Sequence, residues 1–131
     1  MQAFKQNIRQ IIYFTPAIGW GILILYFSSL PRTEVPGMLQ SLNDKLIHAS
    51  IYFLLSFLIY FGFCRFNFQS AISRRPLTVA VVFSVLFGGL MELIQMYLVP
   101  GRTGEWMDFV ANTTGSMMFV LMLVAGHRAL A

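Results

Sequence analysis

Four stretches of this chain are apolar almost without interruption: IIYFTPAIGWGILILYFSSL (Ile11 to Leu30), LIHASIYFLLSFLIYFGFC (Leu46 to Cys64), LTVAVVFSVLFGGLMELIQMYLV (Leu77 to Val99) and MDFVANTTGSMMFVLMLVAG (Met107 to Gly126). Each comes close to the ~20 residues that a helix rising 1.5 Å per residue needs to cross a hydrocarbon core about 30 Å thick. Strands of a transmembrane barrel would be about half as long and would alternate apolar with polar residues, which these runs do not. The expected fold is all-α: a four-helix transmembrane bundle with helices at about 11–30, 46–64, 77–99 and 107–126, forming one domain over residues 1–131. The first run follows Lys5 and Arg9 as a signal peptide would, but FSSLPR offers no small-x-small cleavage site, so it reads as an uncleaved span. Pro31, Pro36, Pro76 and Pro100 fall at or beyond span ends, whereas Pro16 lies inside the first run and is expected to kink it.

The few polar residues inside the runs share faces. At 100° per residue, Ser84, Gly88, Glu92, Gln95 and Val99 lie on one side of the third helix, and Ser84 with Gly88 forms a small-xxx-small pair that permits close helix approach. Asp108, Ala111, Asn112 and Gly115 repeat that arrangement on the fourth, and Asp44, His48 and Tyr52 follow at i, i+4, i+8 on the second. All three polar faces are at the same end of the bundle. Glu92 sits about 10 Å below the end of its helix, a depth at which a carboxylate has to face protein or water.

A composition of 57% hydrophobic and 11% charged residues agrees with a membrane class and excludes an ordinary soluble domain. The charge that remains sets an orientation. With the N-terminus in the cytoplasm, inner segments hold Lys5, Arg9, Arg65, Arg74, Arg75 and Arg128, and outer loops hold only Arg32, Lys45 and Arg102. The positive-inside rule therefore predicts N-in and C-in, and the net charge of +4 needs no nucleic-acid partner. The single cysteine, Cys64, excludes an intrachain disulfide and reads as an inert apolar side chain.

In that topology Asp44, His48, Glu92, Gln95, Arg102 and Asp108 surround a recess open to the outer leaflet. Plainer roles compete for several of them. Asn43, Asp44 and Asp108 stand where a side chain can cap a helix N-terminus. Arg102 can anchor at phosphate level or pair with Glu92, Glu105 or Asp108, and Tyr52, Tyr97 and Trp106 have the character of interface anchors. His127 suits the C-terminal dipole of the last helix. Asn112-Thr113-Thr114 fits a glycosylation sequon but lies inside a membrane helix. His48, Glu92 and Asp108 would supply enough ligands for a divalent metal, yet they lack any HExxH-type spacing, so no resident cofactor is expected.

DKLIHASIY (Asp44 to Tyr52) and ELIQMYLVPGRTGEWMDFVANTTG (Glu92 to Gly115) together resemble the VanZ-like family of small bacterial membrane proteins, named for a teicoplanin-resistance protein. The matching positions are Asp44, Lys45, His48, Tyr52, Glu92, Gln95, Gly101, Arg102, Asp108, Asn112 and Gly115, with SSLP (Ser28 to Pro31) similar to the family's end of helix one. The resemblance implies a four-helix fold in a bacterial cytoplasmic membrane and a link to the cell envelope and glycopeptide tolerance.

Two functions fit these residues. In the first, the recess binds a membrane-lipid headgroup or a lipid-linked cell-wall precursor: Arg102 and Lys45 engage phosphate or carboxylate, and Asp44, Tyr52, Gln95 and Asn112 complete the binding surface. In the second, the protein is an intramembrane hydrolase or transferase acting on an envelope lipid, with Glu92, His48 and Asp108 as acid/base residues. A transporter is disfavoured because no helix pair is visibly broken and no carboxylate lies in the inner half; a purely structural subunit is a further alternative.

Overall fold

A computed structural model describes residues 11–34, 43–65, 75–102 and 104–129. Lys5, Arg9, Pro36 and Arg74, which entered the reading of orientation and linkers, lie outside the described residues. Four helices, α1 (Thr15–Ser29), α2 (Asp44–Arg65), α3 (Pro76–Leu98) and α4 (Trp106–Ala129), account for nearly everything else, with short 3-10 turns at Ile12–Phe14 and Arg32–Glu34. All four are long and apolar enough to cross a membrane. The fold is all-α, and the protein is a multi-pass membrane protein.

The helix ends follow local chemistry. Asn43 starts α2: its side-chain Oδ1 accepts from the Leu46 N–H at 3.3 Å, and its own carbonyl accepts from Leu46 and Ile47. The residue that caps is thus Asn43 and not Asp44, whose side chain is left 60% exposed. Pro76 opens α3 at a position whose N–H has no intrahelical partner anyway. Pro16 does the same for α1, after the 3-10 turn, so the kink expected inside the first span is instead the helix start. Gly101, at φ 74°, adopts the left-handed conformation that turns the chain back after α3.

Successive helices run antiparallel. Phe14 at the start of α1 meets Phe63 near the end of α2, ring centroids 4.9 Å apart, and the Trp20 indole donates to the Ile51 carbonyl at 3.1 Å. The tightest packing is between α2 and α4, which run parallel because one antiparallel helix intervenes. A Cβ placed on Gly115 would overlap the backbone carbonyl of Ala49. On α3, a Cβ at Gly88 would come within 3.1 Å of Asn112 and 3.2 Å of Tyr52. Glycine at these two positions lets three polar helix faces touch, as expected from the small-residue pairs.

Below this level the α2/α4 interface is aromatic. Phe119, fully buried, packs edge-on against Phe53, Phe57 and Tyr60. Large apolar side chains such as Leu86, Leu98 and Leu121 are mostly exposed, which in a membrane is contact with lipid tails. α1 is held more loosely, and between it, α2 and α3 runs an apolar groove of about 430 Å³ lined by residues including Phe14, Ile18, Gly21, Phe63 and Phe83.

Gly115→Ala is predicted to destabilise the bundle by about 1–3 kcal/mol, because the added methyl meets backbone that cannot rotate away. Gly21→Ala, facing open space, should be neutral. Thermal unfolding of both variants in one detergent checks the contrast; equal melting temperatures would refute the close contact.

Candidate functional site

Because α2 and α4 start at the end where α3 stops, their first turns and the last two turns of α3 converge. Asp44, Lys45 and His48 come from α2, Glu92 and Gln95 from α3, Asp108 and Asn112 from α4, and Glu105 from just before α4. The loop between α3 and α4 folds directly over this cluster. A Cβ on Gly104 would sit 2.7 Å from the carbonyl oxygen of Glu92, so only glycine lets the backbone lie that close.

Lys45 is the ionic centre. Its ammonium bonds directly to Asp108 Oδ1, reaches Glu105 Oε2 at 2.7 Å and lies 3.7 Å from Asp44 Oδ2. Asp108 has a nearly buried side chain, 8% exposed, whereas that of Lys45 is 38% exposed. The pair joins α2 to α4 near the membrane surface, where a long lysine stem can keep part of its charge in water.

One turn deeper, a hydrogen-bonded relay crosses the bundle. The Asn112 amide donates from Nδ2 to Glu92 Oε1 at 3.3 Å, which leaves Oδ1 to accept from His48 Nδ1 at 2.9 Å. This orientation is set by the network: a carboxylate beside Nδ2 requires a donor there. With Nδ1 acting as donor, His48 Nε2 faces Asp44 Oδ1 at 3.8 Å and Asp108 Oδ2 at 3.9 Å. Glu92 approaches the other nitrogen, Oε1 lying 3.9 Å from Nδ1. The relay therefore runs Glu92, Asn112, His48, then Asp44 and Asp108, with Asn112 wholly buried and Glu92 7% exposed.

The residues singled out in the sequence are mostly brought together, with altered roles. Gln95 and Val99 are buried on the predicted face of α3. Tyr52 is 2% exposed and packs beneath the relay, so it is not an interface anchor; Trp106 and Tyr97, at 78% and 74%, are the exposed aromatics. Of the two roles open to Arg102, a phosphate-level anchor or a partner for Glu92, Glu105 or Asp108, the second is not met: among the described residues no carboxylate lies within ion-pair distance of it, and Lys45 holds Glu105 and Asp108. Glu105 was named only as a possible partner of Arg102, and its pairing with Lys45 depends on an approach between helices that no local spacing records. As for metal ligation, His48 presents different nitrogens to Glu92 and Asp108. The group whose ligand atoms all lie within 4.8 Å of one another is Asp44, His48 and Asp108.

Comparison with known proteins adds a relative without adding a function. No protein-family model matches the chain, and no solved structure matches it. An uncharacterized protein of the fission yeast Schizosaccharomyces pombe is similar, 31% identical over 109 residues, which cover 82% of this chain and 59% of the yeast protein. The chain thus spans under two thirds of that relative's length.

Lys45→Met is predicted to destabilise the protein by about 1–3 kcal/mol, since it leaves the nearly buried Asp108 without its counter-charge. Adding Asp108→Asn should restore most of the loss. Denaturation of the single and double variants measures the coupling; additive effects would show that the ion pair contributes nothing.

Proposed function

We propose that this chain is a VanZ-like protein of a bacterial cytoplasmic membrane, N-in and C-in, whose polar recess binds the headgroup of a membrane lipid or a lipid-linked cell-wall precursor. A change in glycopeptide (teicoplanin) susceptibility would follow from that binding. The observation that supports headgroup binding most is exposed charge of both signs at the rim. The Asp44 side chain is 60% exposed, and that of Glu105, which also holds Lys45, is 49% exposed. Arg102, on the turn that closes the same end, has no acidic partner among the described residues. A zwitterionic headgroup answers both: its phosphate to Arg102 and its ammonium to the carboxylates.

This addresses the excess of acids over bases around the recess, which a purely anionic ligand would not. The yeast relative favours a lipid headgroup over a wall precursor, because a phospholipid ligand is available to both kinds of cell. Nothing in the recess requires peptidoglycan chemistry.

A second reading, an intramembrane hydrolase or transferase, draws support from the relay. His48 lies 3.9 Å from Glu92 through Nδ1 and 3.9 Å from Asp108 through Nε2, so the imidazole could pass a proton between either carboxyl and a bound lipid. Metal-assisted hydrolysis would use Asp44, His48 and Asp108 as ligands.

Mass spectrometry of lipids co-purifying with the protein separates these readings. Amine-bearing phospholipids are expected to be enriched over the bulk membrane in wild type and in Glu92→Gln, and depleted in the Asp44→Asn/Arg102→Ala double variant. Enrichment identical in all three would sink headgroup binding at this rim. A cellular lipid profile altered by wild type but not by Glu92→Gln would favour the enzyme. Orientation is read by placing cysteine at exposed Thr33 in a Cys64→Ala background: labelling from outside is expected, and labelling from the cytoplasm alone would invert the topology.

A further inference from the structure

Several hydroxyl side chains in the helices are satisfied within their own helix. Ser29, Ser50, Thr113, Thr114 and Ser116 each donate to the carbonyl four residues earlier, the usual way a membrane helix satisfies its own hydroxyls. Tyr52 Oη, Ser56 Oγ, Ser84 Oγ and the Glu92 Oε2 oxygen do not: each is buried and finds no hydrogen-bond partner among the described residues. Ser56 and Ser84 are wholly buried, Tyr52 is 2% exposed and Glu92 7%.

These four atoms are not scattered. Gly88 meets both Tyr52 and Asn112, which fixes how the three helices line up. Stepping one turn away from the recess along each helix brings Ser84, Ser56 and Ser116 to a common level. The unpartnered groups therefore form a column down the α2/α3 contact: Glu92 at the relay, the Tyr52 hydroxyl beside it, and the serines below. Beneath the serines the column ends at Phe119 and its aromatic neighbours, with Ala80 and Ile59 also buried at that depth. Four unpaired polar atoms in a dry interior, within a bilayer that offers no donors, would each carry a desolvation penalty. A buried water with two to four polar partners removes it.

We infer that Glu92, Tyr52, Ser56 and Ser84 hold a short file of internal water molecules that leads from the recess into the middle of the bundle and stops at the Phe119 cluster. Eight residues separate Glu92 from Ser84, about 12 Å along the helix, a distance that three or four waters at ~2.8 Å spacing cover with the tyrosine hydroxyl as a station between them. The file gives the second Glu92 oxygen a hydrogen-bond donor, and its end at Phe119 leaves Glu92 without a water path to the opposite side of the bundle. Among the described residues, His48 and Tyr52 on α2, Asp108 and Asn112 on α4, and the Glu105 backbone are the polar groups that face Glu92. None of this depends on which molecule the recess binds.

X-ray radiolytic footprinting of the protein in nanodiscs tests the file, because hydroxyl radicals generated from a bound water oxidise the side chain beside it even where bulk solvent cannot enter. Tyr52 is expected to be oxidised at a rate within an order of magnitude of exposed Tyr97, with Phe119, equally buried, left unmodified. In the Ser56→Ala/Ser84→Ala variant, Tyr52 oxidation should fall severalfold and the melting temperature should drop, because waters lose their partners. Wild-type Tyr52 as silent as Phe119 overturns the inference whatever the variant does. So does a rise in melting temperature on removing the serine hydroxyls, the result expected of unpaired groups in a dry interior.

Discussion

A carboxylate carried into the hydrocarbon layer has to find its partners inside the protein, and the architecture of this small bundle follows from that demand. Lipid tails provide no hydrophobic force to bring helices together, so close approach depends on small residues and on the polar bonds such approach permits. Gly88 and Gly115 supply the first, and the Glu92–Asn112–His48 relay supplies the second. Each requires the other. Without the glycines the polar faces would stand too far apart to bond, and without the bonds Glu92 would be left unpaired in the hydrocarbon layer.

The fold was legible in the sequence because length and apolarity are the signals a bilayer imposes. All four spans are where the apolar runs lie, with ends shifted by a few residues where Asn43, Pro16 and Pro76 set the first turn. The polar faces of α2, α3 and α4 were legible from the helical period. What local spacing could not give was pairing across helices. Lys45 pairs with Asp108 and Glu105, contacts that no spacing along one helix predicts, and Arg102 meets no acid among the described residues. Ser56 and Ser116 were overlooked, since a serine in an apolar run ordinarily bonds its own backbone and only the shared register of three helices sets these two level with Ser84.

Charge in the site is graded by depth. At the rim, Asp44, Lys45 and Glu105 are partly in water, where ion pairs are weak. At the relay, His48 retains slight exposure while Glu92 and Asn112 have almost none. Exposed ion pairs belong to the upper level and buried hydrogen bonds to the lower, and Asp108 touches both through Lys45 and His48.

The Lys45–Asp108 bond also has a history in time. Its two residues are 63 positions apart. At a synthesis rate of about 5–20 residues per second, α4 emerges roughly 3–13 s after the start of α2. During that interval Asp44, Lys45 and His48 have only α1 and, later, α3 beside them. A lysine at the helix end can wait at the water surface, where a charge nearer the midplane would resist insertion. Placing the ionic centre in the first turn of α2 thus lets the helix enter the bilayer before its partner exists, and α4, made after the other three helices, is the element that closes the polar core.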